Sequence, residues 1–168
     1  MRILIVVYSF TGNNLLLARH LAQALGADLV EVREPTPRTP VTILLDLMFR
    51  RPGKIAPLHT DPQEYDHVLF LAPLWNRRIA TPMRTAMRRL APRLGACSFA
   101  TLCGGDRAGQ SETVRKDATA ATGRPPTHQK EIWLETQRPV TAEDLARLTP
   151  QIDEILGWFA PAARTTSP

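Results

Sequence analysis

Cysteines are few and long apolar runs are absent in this sequence, and both facts limit what the protein can be. Cys97 and Cys103 are the two cysteines, and both fall in one segment that predicts a strand. Six residues of strand span about 20 Å at roughly 3.3 Å per residue. A disulfide needs Cα atoms within about 7 Å of each other, so we expect two free thiols.

The absence of long apolar runs also bears on where in the cell the protein is found. No stretch of about 18 apolar residues could cross a membrane, and we expect no membrane span. The apolar start, ILIVV, is too short for a signal peptide and lacks a small-residue cleavage site. We therefore expect a cytoplasmic protein.

Several signatures of common α/β enzymes are also missing. There is no G-x-x-x-x-G-K-[ST] loop, no G-x-G-x-x-G after the first apolar run and no G-x-S-x-G elbow. The two cysteines and four histidines show no metal-ligand spacing. These absences argue against a P-loop protein, a standard dinucleotide-binding enzyme, a serine hydrolase of the α/β-hydrolase type and a metal centre.

Lysine is rare, yet arginine gives the chain a net charge of +5. Such a charge can attract nucleic acid, anionic lipid or an acidic protein. The arginines are spread along the chain, no run of five basic residues occurs, and aromatic residues are not interleaved with them. We therefore expect no nucleic-acid binding.

Apolar segments and helical patterns alternate along the chain. The residue pattern predicts strands over 2–8, 28–33, 67–72, 96–102 and 130–136, and helices over 13–25, 42–51, 80–91, 109–121 and from Thr141 to about Phe159. This alternation predicts an α/β fold, a three-layer, doubly wound sandwich with a five-stranded parallel sheet. We expect one domain over 1–160 and a disordered tail over 161–168.

Ligands of such sheets bind beyond the carboxyl ends of the strands, which singles out the loops 8–14, 73–79 and 103–109. The first loop, YSFTGNN, opens a helix whose N–H groups and dipole favour an anion. Its hydroxyl and amide side chains add donors, and Gly12 lets the backbone come close. This uncharged loop suits a phosphate monoester. The alternative is that Thr11 merely caps the helix, but this explains one polar residue of the loop and leaves the others unexplained.

The stretch SFTGNN resembles the phosphate loop of the flavodoxin family, [ST]-x-T-G-N-T, and departs from it at Asn14. Two other segments are similar to the same family. YDHVLFLAPLW (65–75) resembles its third strand and the loop that follows, and TLCGGDRAG (101–109) resembles its third flavin-binding loop. The likeness covers nearly the whole chain and implies a flavodoxin-like strand order, 2-1-3-4-5.

The resemblance implies FMN as the cofactor. The phosphate would lie on residues 9–14, and the isoalloxazine ring would lie between the second and third loops. Trp75 would stack on one face of the ring, although a tryptophan is more often a core residue. The residues expected to contact FMN are Ser9, Phe10, Thr11, Gly12, Asn13, Asn14, Pro73, Leu74, Trp75, Asn76, Arg77, Cys103, Gly104, Gly105, Asp106 and Gly109.

Two departures from the family pattern leave three functions open. Flavodoxins are typically acidic, whereas this chain is basic, and CGGDRAG lacks the second aromatic residue that many of them carry. The function is then electron transfer through FMN, FMN-dependent reduction of quinones or similar acceptors by NAD(P)H, or partner binding without flavin. Arg77, Arg78 and Arg107 could steer an acidic redox partner or bind a pyridine-nucleotide phosphate, or be ordinary surface charges.

Overall fold

The computed structural model describes residues 1–35, 52–105, 108–134 and 139–160. The strands within these ranges are β1 (Ile3–Val7), β2 (Asp28–Glu31), β3 (His67–Leu71), β4 (Leu74–Trp75), β5 (Arg78–Ile79), β6 (Ala96–Cys103) and β7 (Gln129–Trp133). The α-helices there are α1 (Asn13–Leu25), α2 (Thr81–Leu90), α3 (Gln110–Thr122), α4 (Ala142–Arg147) and α5 (Thr149–Gly157). The helix predicted over 42–51 and the tail predicted over 161–168 lie outside the described residues.

The main sheet is parallel and follows the order β2-β1-β3-β6-β7. Numbered among themselves, its five strands have the order 2-1-3-4-5, so the predicted α/β fold is confirmed. β1 and β3 lie in the middle and are buried on both faces, which explains their continuous apolar sequences. The strand order reverses at this pair, and that reversal opens a crevice at their carboxyl ends.

Helices cover both faces of the sheet. Leu4 and Val6 of β1 join a core with α2 and α3, whereas Ile5 and Val7 join a second core with α1 and α5. The alternation follows from the pleat, because successive side chains of a strand point to opposite faces. The sheet therefore carries two separate cores and leaves its carboxyl edge to the loops.

The carboxyl-terminal helix differs from the prediction. Thr141 and Asp144 do form a capping box, with Asp144 Oδ2 accepting the Thr141 N–H at 2.9 Å. That helix, α4, ends at Arg147 with Leu148 as its C-cap, and α5 begins at Thr149. The single helix predicted to Phe159 is wrong because Pro150 has no N–H to donate and its ring clashes with the preceding turn.

The cysteines behave as predicted. Cys97 and Cys103 both lie on β6 and are free thiols. Burial raises the pKa of the Cys97 thiol, which makes it a poor nucleophile. In the part of the chain that the structure describes, no helix combines the length and apolarity that crossing a membrane requires.

Candidate functional site

The first loop leaves β1 and enters α1 through an uncapped helix start. Gly12 is the N-cap residue, with a φ of +88°, and no side chain caps the helix. The alternative role of Thr11 as the cap is therefore wrong. The Leu16 N–H donates to Gly12 O at 2.9 Å, and the N–H groups before it have no acceptor within the helix. Such a first turn is suited to bind an anion.

A buried hydroxyl lies in the same loop. Ser9 Oγ is shielded from solvent and has no hydrogen-bond partner among the described residues. Buried polar atoms are nearly always paired, so an unpaired one calls for a missing partner. Around Gly12, no atom lies within 4 Å of the position that a Cβ would take. The loop therefore offers a donor and open space next to the helix start.

The two asparagines of this loop fix it to the rest of the fold. The Asn14 side chain is buried, and it donates through Nδ2 to Leu102 O at 3.1 Å while its Oδ1 accepts the Leu102 N–H at 2.9 Å. The Val140 N–H donates to Asn13 Oδ1 at 2.9 Å. Asn14 thus completes the backbone of β6, and Asn13 ties the loop to the segment before α4.

The second loop, predicted as a loop over 73–79, is a hairpin. β4 and β5 pair antiparallel, with Trp75 opposite Arg78. Asn76 and Arg77 form the turn with φ angles of +48° and +65°, as in the type I′ turn of two-residue hairpins. The Ala80 N–H donates to Pro73 O at 3.1 Å and closes the base of the hairpin. Asn-Arg lacks the glycine that usually marks this turn.

Trp75 lies where the first loop meets this hairpin. Its ring meets Tyr8 and Phe10 edge-on, with centroid distances of 5.8 and 6.3 Å. The side chain is half-buried and packs against the core on the α2 and α3 side. Phe10 is 43% exposed. Trp75 is therefore packed on one side and placed at the rim of the crevice.

Asp117 of α3 holds the hairpin from behind. This carboxylate is 5% exposed and accepts from Arg78 Nε at 3.1 Å, from Arg78 Nη2 at 2.5 Å and from the Ile79 N–H at 3.2 Å. The hydrogen bond to Asp117 raises the pKa of the Arg78 guanidinium. Arg78 is thus committed to an ion pair with a buried carboxylate, whereas Arg77 lies at the exposed tip of the hairpin.

Asp117 was missed from the sequence although a signal was present. It lies on the inward face of α3 beside Val114, Ala118 and Ala121. An acid on an apolar stripe is almost never buried without a partner. The partner is 39 residues away, and no local pattern could identify it.

The third loop runs from β6 to α3 and is rich in glycine. Apart from its chain neighbours, no described residue comes within 4 Å of a Cβ placed at Gly104 or Gly105. Gln110, a second residue that sequence reasoning missed, is 4% exposed and donates through Nε2 to Gly105 O at 3.3 Å. Cys103 Sγ is half-buried and lies 3.8 Å from the same oxygen. Asp106 and Arg107 lie outside the described residues.

The structure brings the three loops together at the carboxyl ends of β1, β3 and β6. The first loop contacts the hairpin through Phe10 and Trp75. The hairpin reaches the third loop through Arg77 Nη1, which lies 3.4 Å from Ala108 O. Pro73 and Leu74 form the base of the hairpin, and Gly109, with a φ of +72°, is the N-cap of α3. The described parts of the three loops therefore lie together at one edge of the sheet, and their role in binding a ligand stays a prediction.

Solved structures with the same fold are flavoproteins and related proteins. A flavoprotein from Lactobacillus acidophilus NCFM in complex with FMN superimposes with a TM-score of 0.68 at 17% identity, covering 77% of this chain and 92% of that one. A flavodoxin, WrbA-like protein from Agrobacterium tumefaciens gives 0.52 at 11% identity, covering 95% and 99%. A candidate quinone reductase from Klebsiella pneumoniae gives 0.50 at 10% identity, covering 94% and 84%.

At identities of 10–17%, these superpositions establish the fold alone. The predicted likeness to flavodoxins is confirmed at the level of the fold. No protein-family model matches the sequence, and neither does any curated protein. The chain therefore has a flavodoxin-like fold, and its function is argued from the crevice itself.

Proposed function

We propose that this protein binds FMN in the crevice and transfers electrons through it. The observation that carries the proposal is the unpaired, buried Ser9 hydroxyl beside the uncapped first turn of α1. A phosphate monoester would accept from that hydroxyl and from the first-turn N–H groups, and the helix dipole would favour its charge. The FMN complex of the L. acidophilus protein, which has the same fold, supports this choice of ligand.

The residues of the crevice fit each part of such a ligand. Ser9, Thr11 and the N–H groups after Gly12 would hold the phosphate, with Asn13 and Asn14 keeping the loop in place. Trp75 and the hairpin would cover one face of the ring, and the backbone at Gly104 and Gly105 would approach its edge. FMN supplies one- and two-electron redox chemistry when bound, and the surrounding residues orient it and limit its contact with water.

The first experiment asks whether the loop recognises phosphate. The purified protein should be yellow, and FMN should bind more tightly than riboflavin. Replacing Ser9 and Thr11 together with alanine should weaken FMN binding strongly, because each hydrogen bond to a charged group contributes about 1.5–3 kcal/mol. Riboflavin has no phosphate, so its affinity should hardly change. Both affinities follow from quenching of flavin fluorescence.

The matched control removes a hydroxyl far from the loop. The Thr119 hydroxyl on α3 donates to Arg115 O within its own helix, so Thr119→Ala should leave both affinities as they are. An equal loss for FMN and riboflavin in the Ser9 and Thr11 variant would show that the loop does not hold phosphate. A colourless protein that binds neither ligand would favour the flavin-free binding domain.

A second candidate is an FMN-dependent NAD(P)H reductase of quinones or similar acceptors. In the described part of the third loop, 103–105 and 108–109, there is no aromatic side chain to cover the ring. The fold shared with the candidate quinone reductase from K. pneumoniae also supports it. Arg77, at the hairpin tip, is then the cation placed to meet a nicotinamide cofactor's phosphate.

Arg77→Glu separates the two candidates. If Arg77 meets NADPH, the variant should raise the KM for NADPH in a quinone-reduction assay. If it steers an acidic redox protein, the variant should slow that protein's reaction and flatten its salt dependence, because attraction is screened beyond a Debye length of about 10 Å at 0.1 M salt. Reduction by dithionite needs no docking surface and serves as the control. An unchanged KM and an unchanged partner rate would make Arg77 an ordinary surface charge.

A further inference from the structure

α3 connects the two loops that would enclose the flavin ring. It begins directly after the third loop, at the Gly109 N-cap, and it carries Asp117 seven residues beyond Gln110. At 1.5 Å per residue, Asp117 lies about 10 Å along the helix from its first residue. One rigid element therefore carries the end of the third loop and the carboxylate that holds the hairpin.

The hairpin cannot hold its own position. Its strands have two residues each, and an isolated pair of this length is unstable in water. Leu74 and Ile79 pack against the core, and the described contacts nearer the tip include the edge-on rings of Trp75 with Tyr8 and Phe10 and the 3.4 Å bond from Arg77 to Ala108 O. The bidentate pair of Arg78 with Asp117, joined by the Ile79 N–H, is the strongest attachment that the described residues show.

The surroundings of Asp117 make its charge important. Arg84 of α2 lies close enough to interact with both Arg78 and Asp117, and burial together with repulsion from Arg78 lowers its pKa while Asp117 opposes that shift. Arg84 Nε is buried without a hydrogen-bond partner among the described residues. Removing the negative charge would leave Arg78 and Arg84 without the carboxylate that attracts both, and it would weaken the bonds that join the hairpin to α3.

We propose that Asp117 and Arg78 form a clamp that sets the width of the slot between the hairpin and the third loop, and so positions Trp75 against the flavin ring. The proposal rests on the proposed function and adds to it two positioning residues that do not touch the cofactor. Asp117 fixes the hairpin to the same helix that carries the end of the third loop. The slot then has a defined width before any ligand enters.

The test compares Asp117→Asn and Arg78→Lys with a matched control on the same helix. Asp117→Asn keeps the shape of the side chain and removes its charge, and Arg78→Lys keeps a charge and loses the planar fork. The control is Glu112→Gln, which breaks the exposed pair of Glu112 with Lys116 in α3. For each variant the affinities for FMN and riboflavin, the flavin absorption spectrum and the flavin reduction potential are measured.

The clamp predicts a loss that is equal for the two ligands. Asp117→Asn should weaken FMN and riboflavin by a similar factor, about tenfold, because the ring contact changes and the phosphate contact does not. It should also shift the visible spectrum and the reduction potential. Arg78→Lys should show a smaller change in the same direction, and Glu112→Gln should show none. The Ser9 and Thr11 variant, in contrast, should affect FMN alone.

Hydrogen exchange of the protein without flavin tests the clamp independently of the proposed function. In Arg78→Lys, the amides of residues 74–79 should exchange faster while those of β1 and β3 are unchanged. If the wild type binds no flavin, the proposed function fails but this measurement still decides whether the clamp exists. Unchanged exchange in the hairpin, or a loss of stability with unaltered flavin affinity, spectrum and potential, would overturn the proposal.

Discussion

The first loop and the hairpin lie side by side at the same edge of the sheet, yet they are attached in different ways. The first loop is held by neutral amides, because Asn14 bonds to the backbone of Leu102. The hairpin is held by a charged pair, Arg78 with the buried Asp117. Every strand offers backbone N–H and C=O groups to which an amide side chain can bond. An arginine, in contrast, needs a carboxylate that one particular residue supplies.

The energetic consequences of the two attachments also differ. A neutral hydrogen bond contributes about 0.5–1.5 kcal/mol, and its loss costs more when the partner stays buried and unsatisfied. An ion pair is penalised for leaving water, and this penalty offsets much of its attraction, so its net contribution to stability is small. The first loop should therefore govern folding, and the hairpin attachment should govern the shape of the crevice.

Asn14→Ala should have the largest effect on stability of the variants that test this difference. The change leaves both the N–H and the carbonyl of Leu102 unsatisfied in the interior, at about 1–3 kcal/mol each. We expect the free energy of unfolding to fall by roughly 2–6 kcal/mol, measured by urea denaturation of the protein without flavin. Asn13→Ala is the matched control, because it removes one bond, to Val140 N–H. If the two variants lose the same stability, Asn14 does not anchor the loop to β6.

The fold and the first loop were predictable because their signals are local. The continuous apolar residues of β1 and β3, and the glycines at 12 and 26, predict strands and helix ends without knowledge of any distant contact. The hairpin was not predictable in this way. Its turn uses Asn76 and Arg77 in place of Asn-Gly, and its attachment joins residues far apart in sequence.

The asparagines show the limit of a motif. From the sequence, Asn14 is a donor in a polar loop, at the position where the phosphate-loop pattern has threonine. In the structure, its side chain gives one donor and one acceptor to the Leu102 backbone, a contact that the packing of α1 against β6 creates. Residue type predicted that the loop is polar, and tertiary packing decided which of its groups remain available to a ligand.

Trp75→Ala tests the contact between the two regions. If Trp75 packs on the flavin ring, the variant should weaken FMN by about 1 kcal/mol or more and alter the visible spectrum of the bound flavin. Trp133 on β7 is the matched control, since it is 52% exposed and Trp133→Ala should change neither. A variant that loses stability without flavin, but keeps the flavin spectrum and affinity, would place Trp75 in the core alone.

Arg77→Gly should have the smallest effect on stability. It also tests whether the tip of the hairpin, rather than the clamp of Arg78 and Asp117, positions the hairpin. Arg77 has a φ of +65°, a left-handed conformation that costs a non-glycine residue roughly 1–2 kcal/mol. Glycine removes that cost but gains about 0.5–1 kcal/mol of unfolded-state freedom, and the exposed bond to Ala108 O is lost. We therefore expect the unfolding free energy to rise by no more than about 1 kcal/mol, measured by urea denaturation. Asn76→Ala, which places alanine at a φ of +48°, should instead lower the unfolding free energy.

A stable Arg77→Gly protein with unchanged riboflavin affinity would show that the hairpin is positioned by Arg78 and Asp117 and not by its tip. A weakened affinity would assign that role to the bond between Arg77 and Ala108.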